Sequence, residues 1–216
     1  MEKPLVSIIT LAWNQESFVR QSILSAFEQD YPNKELIVLD NNSTDSTLEI
    51  IRESVRSAPI PVTVHKFDSN IGIPKALNYA IQHLAKGEWI CLNAGDDWMD
   101  TSNISEKISY HDQYPDYWWI YSYGYHYYED KKELEKIDTS EFKEGLVFND
   151  LLYKNFLFLH GGLIHKKVFE WTNYYDPEIS IEDWDFALKA SLKFPVGLVR
   201  KYLFYYRRHT KSYSNS

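Results

Sequence analysis

The chain has 216 residues, of which 44% are hydrophobic and 25% charged, and its net charge is −8. These proportions are those of an ordinary globular protein that can bury one sizeable core. The acidic balance, with no lysine- or arginine-rich run, excludes a nucleic-acid backbone as the expected partner. The single cysteine, Cys91, excludes an internal disulfide and fits a reducing compartment. Because Cys91 lies within an apolar run, we expect it to be a buried core residue.

No targeting or membrane-spanning segment is expected. Residues 1–4 lead directly into strand-like sequence and not into the apolar stretch of a signal peptide. No apolar run approaches the roughly 20 residues needed to cross a bilayer. We therefore expect a cytoplasmic protein, with peripheral contact at the inner face of the membrane left open.

The first half of the chain alternates strand and helix patterns. Apolar, β-branched runs predict strands at Leu5–Thr10, Glu35–Asp40, Pro61–Phe67 and Trp89–Leu92. Helical spacing predicts helices at Ser17–Gln29, Thr44–Ser57 and Pro74–Lys86. Ser46 and Glu49 have the spacing of a capping box. The repeated strand–helix order predicts an α/β fold with an open, mostly parallel sheet and helices on both faces.

The second half is less regular. Its patterns predict a helix at Thr101–Tyr114, an aromatic strand at Tyr117–Tyr128, a strand entering a helix at Leu163–Phe169, a helix at Asp183–Lys193 and a closing strand at Val196–Tyr206. The charged stretch Asp130–Glu144 predicts a solvated loop or an exposed helix. Aromatic rings at every second position of one strand favour a sheet core, with a sugar- or lipid-facing surface as the alternative. Since no repeat or linker is evident, we expect one domain.

Carboxylates occur at three predicted element ends. Asp40 ends the second strand, where it would contact a ribose hydroxyl or a base, or cap a turn. Asp96 and Asp97 follow the fourth strand; adjacent carboxylates repel each other, and a divalent cation relieves that repulsion. The alternative for this pair is an Asp-rich turn. Glu182 and Asp183 begin a helix, where a carboxylate either stabilises the helix dipole or acts as a general base.

Several other chemistries lack their motifs. The sequence contains no GxxxxGK[ST], GxGxxG or GxSxG pattern, and no HxxxH or HExxH pattern. A P-loop enzyme, a dinucleotide-dependent enzyme, a serine hydrolase and a zinc peptidase are therefore not expected.

Six segments taken together resemble the family 2 glycosyltransferases of GT-A fold. They are VSIITLAWN (6–14), SILSAFEQ (22–29), ELIVLDNNSTDST (35–47), NIGIPKALNYA (70–80), GEWICLNAGDDW (87–98) and IEDWDF (181–186), and the chain also has a YRxH-like ending in YRRHTKSYS (206–214). The resemblance is strong over residues 4–110 and moderate over residues 160–214. Each motif alone is weak, but their order is hard to produce by chance.

This resemblance implies an inverting enzyme that moves a sugar from a nucleoside-diphosphate donor, by default a UDP-sugar, to an acceptor hydroxyl. The acceptor would be a saccharide or a lipid-linked saccharide in bacterial surface polysaccharide biosynthesis. It implies a nucleotide-sugar-binding half over about residues 1–100 and an acceptor-binding half over about residues 101–216. The implied nucleotide-sugar-binding residues are Thr10, Ala12, Asn14, Glu16, Asp40, Lys75, Asn78 and Asp96.

The resemblance also implies the catalytic groups. Asp183 corresponds to the general base. A divalent cation, Mn²⁺ or Mg²⁺, would bind at Asp96, with Asp97 and His209 as further ligands. Asn93 and Gly95 stand where the family usually has the carboxylates of its D-x-D-D motif.

Two alternatives stay open. A sugar nucleotidyltransferase shares the nucleotide-binding layout, but it should carry a glycine- and basic-rich loop after the first strand, where this chain has LAWNQE at residues 11–16. A degenerate sugar-nucleotide-binding module is compatible with the missing carboxylates. Asp183 argues for an enzyme, because a binding module has no need of a base.

Overall fold

The structure is a computed structural model that describes residues 3–209. In chain order its elements are β1 (Val6–Ala12), α1 (Val19–Phe27), β2 (Lys34–Asp40), α2 (Thr47–Val55), β3 (Val62–Lys66), α3 (Ile73–Tyr79), which continues as a π-helical turn (Ala80–Leu84), β4 (Trp89–Ala94), β5 (Trp98–Met99), α4 (Asn103–Gln113), β6 (Trp119–Tyr128), β7 (Glu133–Lys136), α5 (Phe148–Leu151), β8 (Leu163–His165), α6 (Lys166–Thr172), α7 (Glu182–Ser191) and β9 (Val196–Arg208). Every predicted strand and helix is present, with ends that shift by a few residues. None of the helices among residues 3–209 is both long and apolar enough to cross a membrane.

The strands of the described chain form a single sheet in the order β3-β2-β1-β4-β8-β6-β9-β5, with β7 paired to β6. The first four strands, β1 to β4, are all parallel to one another. In the second half, β8 is antiparallel to both β4 and β6, while β9 runs parallel to β6. The predicted open α/β sheet is therefore confirmed, and strands from both halves of the sequence contribute to it.

Hydrophobic cores lie on both faces of this sheet. Neighbouring residues of β1 point to opposite sides: Ile8 packs in the core that includes Ile23 of α1 and Ile104 of α4, and Ile9 packs in the core that includes Leu77 of α3 and Phe186 of α7. Helices cover both faces of the sheet, so the central strands can be apolar throughout. Cys91 is fully buried, as predicted.

The predicted capping box at the start of α2 does not form. The Ser46 side chain makes no cap hydrogen bond. The Thr47 amide instead donates to Asp45 Oδ1 at 3.0 Å, and the Ser46 amide donates to Glu16 Oε2 at 3.0 Å. Carboxylates from the preceding residue and from a distant loop satisfy the free amides of the first turn, so the Ser46 hydroxyl is not needed.

The expectation of a loop or helix over Asp130–Glu144 is wrong in part. Residues of this stretch form β7, which pairs antiparallel with β6 from Tyr125 to Tyr128. All four side chains of β7 are exposed. The strand therefore owes its existence to main-chain hydrogen bonds with β6, and its charged side chains suit an unprotected sheet edge.

The aromatic strand β6 divides into two environments. Trp119 and Tyr121 are buried in the core, as the favoured prediction states. Further along, Tyr125 stacks against Tyr205 with ring centroids 5.3 Å apart, and Tyr205 stacks in turn on Trp98 at 4.9 Å. Because these partly exposed rings face one another, much of their flat surface is already covered.

Candidate functional site

Most of the predicted donor-site residues lie at or just after the carboxyl ends of β1, β2 and β4, whereas Lys75 and Asn78 lie on α3. Ala12 lies beside Asp40 in the β1–β2 register, and Leu11 lies beside Ala94 in the β1–β4 register. In parallel sheets this edge is where ligands bind. The fold therefore brings the loops after three strands to one place.

The loop after β1 is fastened to the loop after β2. The Asn14 amide donates to Ser43 Oγ at 3.0 Å, and Asn14 Oδ1 accepts from the Thr44 amide at 2.8 Å. Asn14 itself is left-handed, with φ of 51°, a conformation that asparagine tolerates better than most residues. Glu16 accepts from the Ser46 amide. Both predicted residues therefore join the loop after β1 to the loop after β2.

Asp40 and Thr10 are buried below this edge. Both carboxylate oxygens of Asp40 accept from the Ser43 amide at 3.3 Å, which is the geometry of a capped turn. Thr10 is fully buried, and its Oγ1 has no hydrogen-bond partner among the described residues. The cross-strand neighbour of Thr10, Asn93, donates to Ser22 Oγ of α1 at 2.7 Å. Asn93 therefore anchors α1 to β4.

The two predicted residues of α3 lie in different surroundings. Lys75 is exposed in the first turn of the helix. Asn78 uses its whole amide on Tyr175: its Nδ2 donates to the Tyr175 carbonyl at 2.8 Å, and its Oδ1 accepts from the Tyr175 amide at 3.0 Å. Asn78 thus ties α3 to the segment that precedes α7. It also lines a 350 Å³ cavity, together with Gln82, Thr172, Asn173, Tyr174, Tyr175, Asp176, Pro177 and Lys189.

Asp96 and His209 face each other at the end of β4. His209 Nε2 lies 3.0 Å from Asp96 Oδ2, and both side chains are largely shielded from solvent. The two residues are 113 positions apart in the sequence. The structure thus brings these two predicted metal-ligand candidates into contact.

Asp97 is buried, whereas its neighbour Asp96 is partly exposed. Asp97 Oδ1 accepts from the Arg207 amide at 2.6 Å, and its Oδ2 lies 3.0 Å from His160 Nε2. Burial, with the neighbouring Asp96 charge, raises the pKa of Asp97 well above its usual value. Burial lowers the pKa of His160 to about 4. The imidazole is therefore neutral at pH 7.

Arg207 connects β9 to this turn. Its Nε donates to the Asp96 carbonyl at 2.7 Å, and its guanidinium forms an ion pair with Glu129. The guanidinium carbon lies 4.7 Å from the ring centroids of both Phe18 and Trp98. Arg207 is only 5% exposed, so this cation is held on every side.

Sequence reasoning missed His160 and Arg207. Arg207 belongs to the YRRH segment, so that motif was the available signal. His160 stands in no periodic pattern, and only the pairing of β8 with β4 brings its loop back to Asp97.

The candidate base lies at the start of α7. Asp183 is half-buried, and burial raises its pKa. One oxygen accepts from the Trp184 amide at 2.7 Å, and the other accepts from Asn155 Nδ2 at 3.3 Å. Burial also raises the pKa of Glu182. None of these hydrogen-bond partners is a cationic side chain, so no ion pair with them offsets the effect of burial, which raises the pKa of Asp183.

A divalent cation fits this site only with help from a ligand. Among residues 3–209 there is no group of three or more His, Cys, Asp or Glu side chains arranged to hold a metal ion. Asp96 and His209 would supply one carboxylate and one imidazole. Mg²⁺ is commonly held by one or two carboxylates with substrate phosphates and water completing its shell. The residues present therefore fit a cation that binds together with a diphosphate.

A second, larger concavity lies next to the fastened loops. Its volume is about 770 Å³, and its lining comprises Ser43, Thr44, Asp45, Ser46, Leu48, Glu49, Arg52, Glu53, Arg56 and Lys66. Its walls come mainly from α2 and the loop before it, so it is separate from the Asp96 turn.

Comparison with known proteins shows which family this chain resembles. The family model described as Glycosyl transferase family 2 matches residues 7–170. An uncharacterized protein of Mycobacterium tuberculosis is 24% identical over 209 residues, which is 94% of this chain and 59% of the relative. The UDP-Glc:alpha-D-GlcNAc-diphosphoundecaprenol beta-1,3-glucosyltransferase WfaP of Escherichia coli is 36% identical over 106 residues, which is 49% of this chain and 41% of the relative. The chain thus spans about 60% or less of these relatives.

Solved structures share the fold. The crystal structure of S. aureus TarS (1–349) in complex with UDP-GlcNAc aligns with a TM-score of 0.80 at 20% identity, covering 98% of this chain and 60% of that one. The mannosyltransferase PcManGT from Pyrobaculum calidifontis, in complex with GDP-Man and Mn²⁺, aligns with a TM-score of 0.75 at 17% identity, covering 99% and 59%. The predicted GT-A-type architecture is confirmed by these neighbours. With the family model matching well over half of its length, the chain belongs to glycosyl transferase family 2.

Proposed function

We propose that this chain is the catalytic domain of an inverting glycosyltransferase that uses a nucleoside-diphosphate sugar. The observation that carries the proposal is the pairing of Asp96 with His209, 3.0 Å apart, at the sheet edge where the loops after β1, β2 and β4 converge. That edge suits a nucleotide diphosphate. We further propose that residues 1–216 form one domain, with a donor half over about 1–100 and an acceptor half over about 101–216.

The donor half would bind the nucleotide through its fastened loops. Ala12, Asn14 and Glu16 form the wall after β1, Asp40 underlies the adjoining turn, and Thr10 supports the wall from below. Lys75, exposed at the start of α3, has the reach and charge to meet an anionic donor. Asn78 would act indirectly, because its amide already holds Tyr175.

Asp96 and His209 would hold the divalent cation, Mn²⁺ or Mg²⁺. When bound, such an ion supplies Lewis-acid stabilisation to a leaving diphosphate. A cation also lets an acidic protein attract an anionic donor, since the net charge is −8. The Mn²⁺ bound in PcManGT supports this assignment by similarity of fold.

Asp183 would take the proton from the acceptor hydroxyl as that oxygen attacks the anomeric carbon. Its raised pKa and its hydrogen bonds to two uncharged groups, the Trp184 amide and Asn155 Nδ2, suit a general base. Attack opposite the leaving diphosphate forms the new glycosidic bond as the old bond breaks, and one displacement inverts the anomeric centre.

The substrates are proposed from the relatives. The name of the E. coli relative gives a UDP-sugar donor and a diphosphoundecaprenol-linked acceptor, and TarS was crystallised with UDP-GlcNAc. A UDP-sugar and a saccharide or lipid-linked saccharide are therefore our proposed substrates, in surface polysaccharide biosynthesis. This role places the enzyme in the cytoplasm, at the inner face of the membrane where a lipid-linked acceptor is reached.

The test is a panel of nucleotide sugars and nucleoside diphosphates measured by thermal shift with and without Mn²⁺. We expect UDP or a UDP-sugar to raise the melting temperature, and we expect the rise to require the metal. At a ligand concentration 100 times Kd, binding adds about 2.7 kcal/mol to the free energy of unfolding. Product analysis with the stabilising donor then establishes transfer and the anomeric configuration. If no nucleoside diphosphate stabilises the protein, the donor assignment is wrong.

A non-catalytic sugar-nucleotide-binding module is the second candidate, and Asn93 and Gly95 favour it because they replace carboxylates of the motif. It predicts donor binding without transfer. Glycosyl transfer by the wild-type protein that is lost in Asp183→Asn excludes it.

A further inference from the structure

Asp97 and Arg207 form a reciprocal connection between two chain segments. Asp97 lies in the turn after β4, and Arg207 lies near the end of β9. The Arg207 main-chain amide donates to Asp97 Oδ1 at 2.6 Å, and the Arg207 side chain donates back to the Asp96 carbonyl at 2.7 Å. Each segment therefore binds the main chain of the other, which fixes their relative position more firmly than contact between two flexible side chains.

The surroundings leave Asp97 little freedom to turn outward. It is 2% exposed, and its second oxygen lies 3.0 Å from His160. Arg207 is held by Phe18, Trp98 and the ion pair with Glu129. Rotation of Asp97 toward an external cation would leave the Arg207 amide without its acceptor in a buried place, which is costly.

The space around Gly95 does not allow a carboxylate side chain at this position. A Cβ atom at this position would lie 2.3 Å from Gln15 Oε1 and 2.8 Å from Ala12 Cβ. A side chain here therefore collides with the loop after β1. Asp96 is left as the carboxylate of this turn that faces His209.

We propose that Asp97 and Arg207 are positioning residues that bring His209 to Asp96, so that the chain offers a cation one carboxylate and one imidazole. This inference rests on the proposed metal site and assigns its geometry. Arg207 precedes His209 by two residues, so the Asp97 bond to the Arg207 amide sets where the end of β9 stops. Asp97 would then act on metal binding without touching the metal.

The first test measures Mn²⁺ binding in the presence of UDP. The electron paramagnetic resonance signal of free Mn²⁺ reports how much of the metal is unbound. Asp97→Asn retains a carbonyl oxygen for the Arg207 amide, whereas Asp97→Ala removes it. We expect Asp97→Asn to bind Mn²⁺ within about threefold of wild type and Asp97→Ala to bind at least about tenfold more weakly. Asp96→Asn should be at least as weak as Asp97→Ala. A loss in Asp97→Asn equal to that in Asp96→Asn would make Asp97 a ligand and overturn the proposal.

The second test needs no metal. Hydrogen exchange at the Arg207 amide reports its bond to Asp97 directly. We expect at least about tenfold faster exchange at this amide in Asp97→Ala, and near wild-type exchange in Asp97→Asn, with exchange in β1 and β2 unchanged in both. Equal protection in all three proteins would overturn the positioning role. If exchange differs among the three proteins as expected but the wild-type protein binds no Mn²⁺ in the presence of UDP, the positioning role stands and the metal part of the proposed function is refuted.

Discussion

Two pairs of adjacent carboxylates, Asp96–Asp97 and Glu182–Asp183, look alike in the sequence and differ in the structure. The first pair follows a strand and is engaged on both sides, by His209 and by the amide of Arg207. The second pair begins a helix, and Asp183 accepts hydrogen bonds from the Trp184 amide and the Asn155 side chain. Both environments raise a carboxyl pKa through burial.

The difference teaches what each pair can do. In the first pair, the contacts of Asp97 and Arg207 fix the turn, and Asp96 faces His209, which suits the proposed role of Asp96 as a metal ligand. In the second pair, the half-buried Asp183 carboxylate accepts hydrogen bonds from two neutral groups, and burial raises its pKa, which suits the proposed role of proton acceptor. Burial alone does not distinguish a ligand from a base; the charge and mobility of the partners do.

The sharpest test of this contrast is Asp183→Asn. If Asp183 is the base, kcat should fall by about 10³-fold while donor binding stays unchanged, because the carboxamide cannot take up the proton. Initial rates and the nucleotide-induced thermal shift measure the two properties separately. Asp185→Asn is the matched control, since Asp185 lies in the same helical turn and pairs with Lys189 at 2.7 Å. Turnover above about a tenth of wild type would remove Asp183 from this role.

Asp96→Asn tests the other pair. We expect a loss of about 10²-fold in Mn²⁺-dependent donor affinity, since a cation contributes several kcal/mol of charge stabilisation. Calorimetric titration of UDP with and without Mn²⁺ measures it. Metal-independent binding of UDP should change little. Asp112→Asn, an exposed aspartate on α4, is the control. Unchanged Mn²⁺ dependence in Asp96→Asn would contradict the metal assignment.

Gly95→Asp tests whether the first pair could be enlarged. We expect the new side chain to destabilise the protein by about 1–3 kcal/mol, because it overpacks against Ala12 and Gln15. Mn²⁺ affinity should not improve. Denaturant unfolding measures the stability. Gly95→Ala should also destabilise the protein, because its Cβ meets Gln15 Oε1, and adding Gln15→Ala should recover part of that loss. Tighter Mn²⁺ binding in Gly95→Asp would show that the turn can host a second carboxylate.

The pH dependence of kcat gives the smallest expected effect. The base must be deprotonated, so activity is lost as the pH falls through the pKa of Asp183, which burial raises. The acidic limb should therefore lie above the ordinary aspartate value of about 3.9. Asn155→Ala removes a hydrogen bond that favours the charged carboxylate, so its limb should move to higher pH by less than about one unit. A shift to lower pH would mean that Asn155 does not stabilise the carboxylate.

Much of the fold was predictable because its signals are local. Apolar runs indicate strands that are buried on both faces, as in β1, β2 and β4, and helical spacing indicates helices that are buried on one face, as in α1 and α3. The structure confirms these elements. β7 was not predictable, because its exposed side chains have no strand pattern and its hydrogen bonds come from β6. The capping box failed for the same reason: Glu16, from another loop, supplies the acceptor.

The site divides in the same way. The order of motifs along the chain determined the family, the sheet edge and the candidates Asp96, Asp183 and His209, because these residues stand at element ends or in recognisable segments. Only the tertiary structure decided which neighbour each one meets. The inward turn of Asp97, the hold of Arg207 on the Asp96 carbonyl and the approach of His160 join residues more than 60 positions apart. Contacts between residues so far apart in the sequence depend on how β8 pairs with β4 and β9 with β6, and no local pattern of residues encodes that pairing.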